Sequence, residues 1–128
     1  MNNKTLESLL FEANDQIKRL SYEEAVTKIQ KSNHVIIDVR EESEVAFSGL
    51  IKNAINIPRG VIEFKLKPDS PDNPIHIDSD TDILLYCAAG FRSALAAKAL
   101  EDSGFQNVYN IGGYGEWVSN GGDVTKDI

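Results

Sequence analysis

Two short apolar runs limit what this chain can fold into. Val35-Ile36-Ile37-Asp38-Val39 and Ile83-Leu84-Leu85-Tyr86 are nearly continuous in hydrophobicity and do not alternate with polar residues. A strand with one wet face alternates; a strand covered on both faces does not. Stretches with helical spacing separate such runs along the chain. Strands alternating with helices point to an α/β fold, with a central, mostly parallel sheet and helices on both faces. In sheets of that kind, ligands sit beyond the carboxyl ends of the strands. Arg40 and Cys87 both fall at such ends.

The other elements fit around these runs. Leu6, Leu9, Leu10, Ala13, Ile17 and Leu20 recur at helical spacing and predict an amphipathic N-terminal helix. Ser21 and Glu24 have the spacing of a capping box, opening a second helix through Ala25, Val26 and Ile29. Ala54 to Pro58 reads as a short strand stopped by proline. Gly60 to Leu66 reads as a short helix, and Pro68 to Asp82 as a surface loop long enough to help shape a site. An alanine-rich helix from Ser93 to Leu100 ends at Gly104. Val108 to Ile111 is a last strand, turned by Gly112-Gly113 into a segment holding Tyr114 and Trp117, two aromatics expected to cover the sheet's edge. The polar stretch from Ser119 to Ile128 is expected to fray.

The sole cysteine follows the second apolar run directly, in Tyr86-Cys87-Ala88-Ala89-Gly90-Phe91-Arg92-Ser93. Backbone N–H groups of a strand-to-helix turn can point inward, and the following helix presents the positive end of its dipole. Such surroundings lower a thiol's pKa and make it a better nucleophile. The competing reading is a plain buried cysteine at the end of a core strand. Gly90 and Arg92 weigh against it, because a plain core turn requires neither. Gly90 permits a backbone conformation closed to residues with a Cβ, or is an ordinary turn glycine. Arg92 has two possible uses: its planar fork can bind an oxyanion, or it can turn back and brace the loop. The acids at the neighbouring strand end favour bracing, with Asp38 and Glu41 as partners. Asp38 can also cap its own loop by accepting backbone N–H bonds.

Composition excludes several classes of function. The net charge of −7 over 128 residues leaves no basic stripe for nucleic acid. An anionic substrate must therefore meet a local positive site. No apolar run approaches the length of a membrane span, and the opening Met1-Asn2-Asn3-Lys4-Thr5 does not read as a signal peptide. One cysteine cannot form an internal disulfide, so a reducing, cytoplasmic compartment is the expected setting. One cysteine with two distant histidines, His34 and His76, argues against structural zinc. His34 looks structural, and His76 in the long loop looks solvent-facing.

Four motifs together carry a resemblance. Asp38-Val39-Arg40-Glu41, then Gly49 with Ala54-Ile55-Asn56-Ile57-Pro58, then Cys87 through Ser93, then Gly112-Gly113 with Trp117, resemble the single-domain rhodanese family in order and spacing. The resemblance covers roughly residues 21–122. It divides the chain into an N-terminal helical extension (1–20), a rhodanese-like domain (21–122) and a C-terminal tail (123–128). It implies sulfurtransferase chemistry without a cofactor or metal. The cysteine takes sulfane sulfur from a donor such as thiosulfate or a persulfide, and passes it to cyanide, a thiol or an acceptor protein. It also implies that Arg40 lies beside the active loop as an ion pair. One departure stands out: Gly49-Leu50-Ile51 replaces the family's usual Gly-His-Ile, which predicts a local change of packing.

On that reading Cys87 attacks as thiolate, and the amides from Ala88, Ala89, Gly90, Phe91, Arg92 and Ser93 steady the negative sulfur. Arg59 after Pro58 is a candidate cation on the rim, against the alternative of a solvated surface arginine. Phe91 either walls the pocket or sits exposed. Two other functions compete. A cysteine phosphatase or arsenate reductase also uses a cysteine-to-arginine cradle, but with five intervening residues where this chain has four. A redox-sensing or non-catalytic rhodanese-like module is the other, although no second cysteine is present to resolve an oxidised one.

Overall fold

The computed structural model describes residues 4–126. Its centre is a five-stranded parallel sheet in the order β1-β6-β5-β2-β4. The strands are β1 (Lys18–Arg19), β2 (His34–Asp38), β4 (Ile55–Asn56), β5 (Asp82–Cys87) and β6 (Val108–Gly113). A separate two-stranded antiparallel pair joins β3 (Leu50–Ile51) to β7 (Val124–Thr125). The helices are α1 (Leu6–Gln16), α2 (Tyr22–Lys31), α3 (Glu42–Ser48), α4 (Ile62–Lys65), α5 (Phe91–Asp102) and α6 (Tyr114–Ser119).

β5 occupies the middle of the sheet, and every residue in it is buried. Its pleat sends Ile83, Leu85 and Cys87 into one core, and Leu84 and Tyr86 into the other. The Cys87 core includes Ile37, Val39, Ile62 and the inner face of α5. Ala94, Ala96 and Ala97 are fully buried on that helix and let it lie close to the sheet. The Tyr86 core includes Ala25 of α2 and Trp117 of α6. Helices therefore cover both faces, as the continuous apolar runs require.

Three sequence expectations change. The apolar spacing from Leu6 continues through Leu20, yet α1 ends at Gln16. Ile17 and Leu20 are buried because they flank a strand: β1 pairs with β6, Arg19 opposite Asn110. Two flanking positions three apart mimic a helical period. The long loop before β5 does not reach the cysteine. Ile75 and Ile77 tuck against the core, and the loop runs beside Phe105, past the far end of α5. Lastly, the stretch from Ser119 to Lys126 is held, since Val124 and Thr125 pair with β3 and the Trp117 indole donates to the Asp123 carbonyl (2.9 Å), while Asp127 and Ile128 lie outside the described residues. Leu50, standing where a histidine was expected, is buried in that pair. Among the described residues no helix is long and apolar enough to cross a membrane.

Candidate active site

Cys87 ends β5, and α5 begins four residues later at Phe91. The intervening chain reverses through Gly90, whose φ of 96° lies in the left-handed region that favours glycine. This turn brings the Gly90 amide to 3.0 Å from Cys87 Sγ. The Ser93 hydroxyl, one turn into the helix, lies 3.4 Å from the same sulfur. Burial pushes the Cys87 thiol up, but hydrogen bonds from the Ser93 hydroxyl and the amides of Ser93, Ala89 and Gly90 outweigh it. The net shift is below the ordinary thiol value, which enriches the thiolate. Ala88 and Ala89 form the exposed lip, directly over Gly113, where a side chain would collide with the Ala88 carbonyl.

Asn110, which sequence reading did not single out, holds this turn from below. It is buried on β6. Its Nδ2 donates to the Gly90 carbonyl (3.0 Å), and its Oδ1 accepts from the Ser93 hydroxyl (2.8 Å) and the Gly112 amide (3.0 Å). One side chain thus fixes the carbonyl of the turn glycine and the position of a donor to the sulfur. Only strand pairing brings Asn110 here, so nothing local in the sequence marks it.

Arg92 braces the loop, but with a partner other than those expected. Its two terminal nitrogens donate to the two carboxylate oxygens of Glu44, at 2.6 and 2.9 Å. Asp38 and Glu41 are not its partners. Glu41 contributes its backbone N–H to Glu44 Oε2 (2.9 Å), which fixes the carboxylate at the start of α3. The Arg92 guanidinium holds the Glu44 carboxyl down to about 2. The Glu41–Glu44 spacing is that of a reciprocal helix start, and this is the signal that could have found Glu44.

Asp38 and Arg40 form their own buried pair. Arg40 Nη2 donates to Asp38 Oδ2 at 2.7 Å, and Asp38 Oδ1 accepts the Arg40 backbone N–H at 2.9 Å. The Asp38 loop-capping role is therefore present. Arg40 is an ion pair, but it points away from the cysteine. It lies over the Tyr86 and Tyr114 rings in the opposite core and donates to the Gly49 carbonyl. Arg59 turns to Glu63 (3.1 Å), a half-exposed pair one helical turn apart. Phe91 is exposed at the mouth of the loop. His76 is exposed and His34 half-buried against the Ser32 carbonyl, so neither joins the site.

A strand-end thiol with an amide and a hydroxyl at its sulfur, and an arginine tied to Glu44 behind the turn, make a site suited to a nucleophilic thiolate. The sequence model described as Rhodanese-like domain matches residues 21–120. The chain belongs to the rhodanese family. This rhodanese is 33% identical over 103 residues to a putative sulfurtransferase, YtwF, of Bacillus subtilis, covering 80% of this chain and 91% of the relative. It is 36% identical over 97 residues to the thiosulfate:glutathione sulfurtransferase of Saccharomyces cerevisiae, covering 71% and 69%. A solved structure from Rhodopseudomonas palustris superposes with a TM-score of 0.87 at 36% identity, over 98% of this chain and 97% of that one. That protein is described as of unknown function and a possible tyrosine phosphatase. The curated relatives place this rhodanese in a family of sulfurtransferases.

Proposed function

We infer that this rhodanese moves sulfane sulfur from thiosulfate or a persulfide donor to cyanide or a thiol, through a persulfide on Cys87. The observation that carries this reading is the Gly90 amide at 3.0 Å from Sγ, with the Ser93 hydroxyl behind it. In the first half-reaction the Cys87 thiolate attacks the outer sulfur of thiosulfate. A new S–S bond forms at Sγ, the bond to the sulfonate sulfur breaks, and sulfite leaves with its electron pair. The terminal sulfur of the persulfide keeps one negative charge. Preorganised amides stabilise such a charge without reorganising, and removing one donor of this kind costs roughly 3 kcal/mol in other enzymes. In the second half-reaction cyanide or a thiolate attacks that terminal sulfur, and the Cys87 thiolate departs unchanged.

The description of the R. palustris neighbour favours a second reading, phosphatase chemistry in the same cradle. Two features oppose it. Four residues separate Cys87 from Arg92, giving a smaller ring of amides than a tetrahedral phosphate suits. Both terminal nitrogens of Arg92 are also committed to Glu44.

Mass spectrometry before and after thiosulfate, with sulfite release and aryl-phosphate hydrolysis measured in parallel, separates the two. The parent should gain one sulfur on Cys87 and release sulfite, and Cys87→Ser should do neither while remaining folded. Efficient phosphate hydrolysis without a persulfide would replace this reading with the phosphatase one.

A further inference from the structure

The turn that follows Cys87 is flanked on two sides by arginines, and only one of them belongs to the motif. Arg92 lies on the β2 side, tied to Glu44 at the start of α3. On the β6 side the approaching group is Arg19, from the edge strand that the N-terminal segment adds to the sheet. A Cβ built on Gly90 would stand 3.2 Å from Arg19 Nη1. A Cβ on Gly112 would collide with Arg19 Nη2. The guanidinium therefore lies across the bare backbone of two glycines, one of them the residue whose amide contacts Sγ. Glu116 at the start of α6 holds Nη2 at 2.7 Å, which leaves the Nη1 edge turned toward Gly90.

Each of the other three arginines also has a carboxylate partner. Arg92 gives both terminal nitrogens to Glu44, Arg40 is buried against Asp38, and Arg59 pairs with Glu63. Arg19 is about half exposed, with a side-chain exposure of 45%. It can therefore meet a solute while lying against Gly90, the residue whose amide contacts the reacting sulfur. With a net charge of −7, the molecule repels an anion at long range, so recognition of an anionic donor has to be local. A planar guanidinium held at one edge and open at the other suits oxyanion groups.

We propose that Arg19 is a donor-binding residue: its guanidinium receives the anionic end of the sulfur donor at the rim of the Cys87 cradle. This rests on the sulfurtransferase reading for the identity of the donor, but the anion preference can be measured without it. Glu116 sets the orientation of the guanidinium and, being negative, keeps the site from holding a small anion tightly. The glycines at 90 and 112 are what allow so close an approach. The N-terminal segment then has a use in the reaction: it delivers a second cation to the cysteine loop, on the side opposite Arg92.

The test compares the parent with Arg19→Gln and Arg19→Lys. Two thiol reagents of similar size, neutral iodoacetamide and anionic iodoacetate, report the local field at Cys87. In both, Sγ forms a bond to the reagent's carbon and iodide leaves, with no sulfur transferred. In Arg19→Gln the rate with iodoacetate should fall about threefold relative to iodoacetamide, and the KM for thiosulfate should rise about tenfold with kcat within about twofold. Arg19→Lys should recover part of both. An unchanged reagent ratio, or equal slowing with both reagents, overturns the proposal; equal slowing would make Arg19 only a prop for the loop. If the parent takes no sulfur from thiosulfate yet the ratio falls in Arg19→Gln, the thiosulfate reading fails and the anion site stands.

Discussion

Ser93 carries one hydroxyl proton and faces two acceptors, Cys87 Sγ at 3.4 Å and Asn110 Oδ1 at 2.8 Å. When the sulfur is a thiol, the proton is best used on Asn110. When it is a thiolate, the charge draws the proton across, since bonds to ionised groups are the stronger ones. Ser93→Ala removes this donor and leaves the backbone amides in place. The pH midpoint of Cys87 alkylation by iodoacetamide should then rise by about one pH unit, with slower alkylation at neutral pH. An unmoved midpoint would leave the amides as the sole cause of the lowered thiol. Sequence reading had placed Ser93 in the loop as a backbone donor. Its hydroxyl and the Asn110 beneath it depend on how α5 packs over β6.

Two elements grip the loop through one ion pair. α5 carries Arg92 and α3 carries Glu44, and the pair joins helices that follow adjacent strands, β5 and β2. Glu44→Gln should reduce sulfur uptake from thiosulfate by about tenfold, since a bidentate charged pair becomes a weaker neutral contact. The midpoint of Cys87 alkylation should not rise in this variant, which separates it from Ser93→Ala. The pair also has a definite pH window. The folded-state pKa of Glu44 lies below its ordinary value, so its contribution to stability is complete above about 4.5 and is lost as the pH falls toward about 2. Urea unfolding of parent and Glu44→Gln should therefore differ most above that range and converge below it. A gap that widened in acid would contradict the assignment. The brace itself was expected from the sequence, but its partner was not, because helix α3 decides which of four nearby acids (Asp38, Glu41, Glu42, Glu44) faces Arg92.

At the scale of the molecule, the N-terminal segment is built into the sheet. Ile17 enters the Cys87 core, Leu20 enters the Tyr86 core, and the Leu20 amide donates to the Asn110 carbonyl (2.9 Å). Within α1 itself only Ala13 is buried. Removing residues 1–16 should therefore cost much less than removing residues 1–20. The longer deletion strips both buried side chains and should lower unfolding free energy by about 3 kcal/mol or more beyond the shorter one. Urea denaturation of the two truncated chains checks this. Equal losses would show that α1, and not β1, carries the stabilisation.

The sequence by itself determined the α/β class, the two buried central strands and the cysteine loop, because each is written in local order. Continuous apolar runs specify strands covered on both faces, and the thiol, the turn glycine and the helix start are neighbours along the chain. For the arginine of the loop it left two uses open, oxyanion binding and bracing, and favoured bracing. Only the tertiary structure decided which residues complete the site. Glu44, Asn110 and Arg19 come from a helix after β2, from β6 and from β1, and they reach Arg92, Gly90 and Ser93 of the cysteine turn through strand order. It also decided that Arg40 serves the opposite face, since the pleat alternates and β5 sends Tyr86 and Cys87 to different cores. Local sequence sets the conformation of a segment, while contacts between segments distant in the chain depend on how the sheet is assembled.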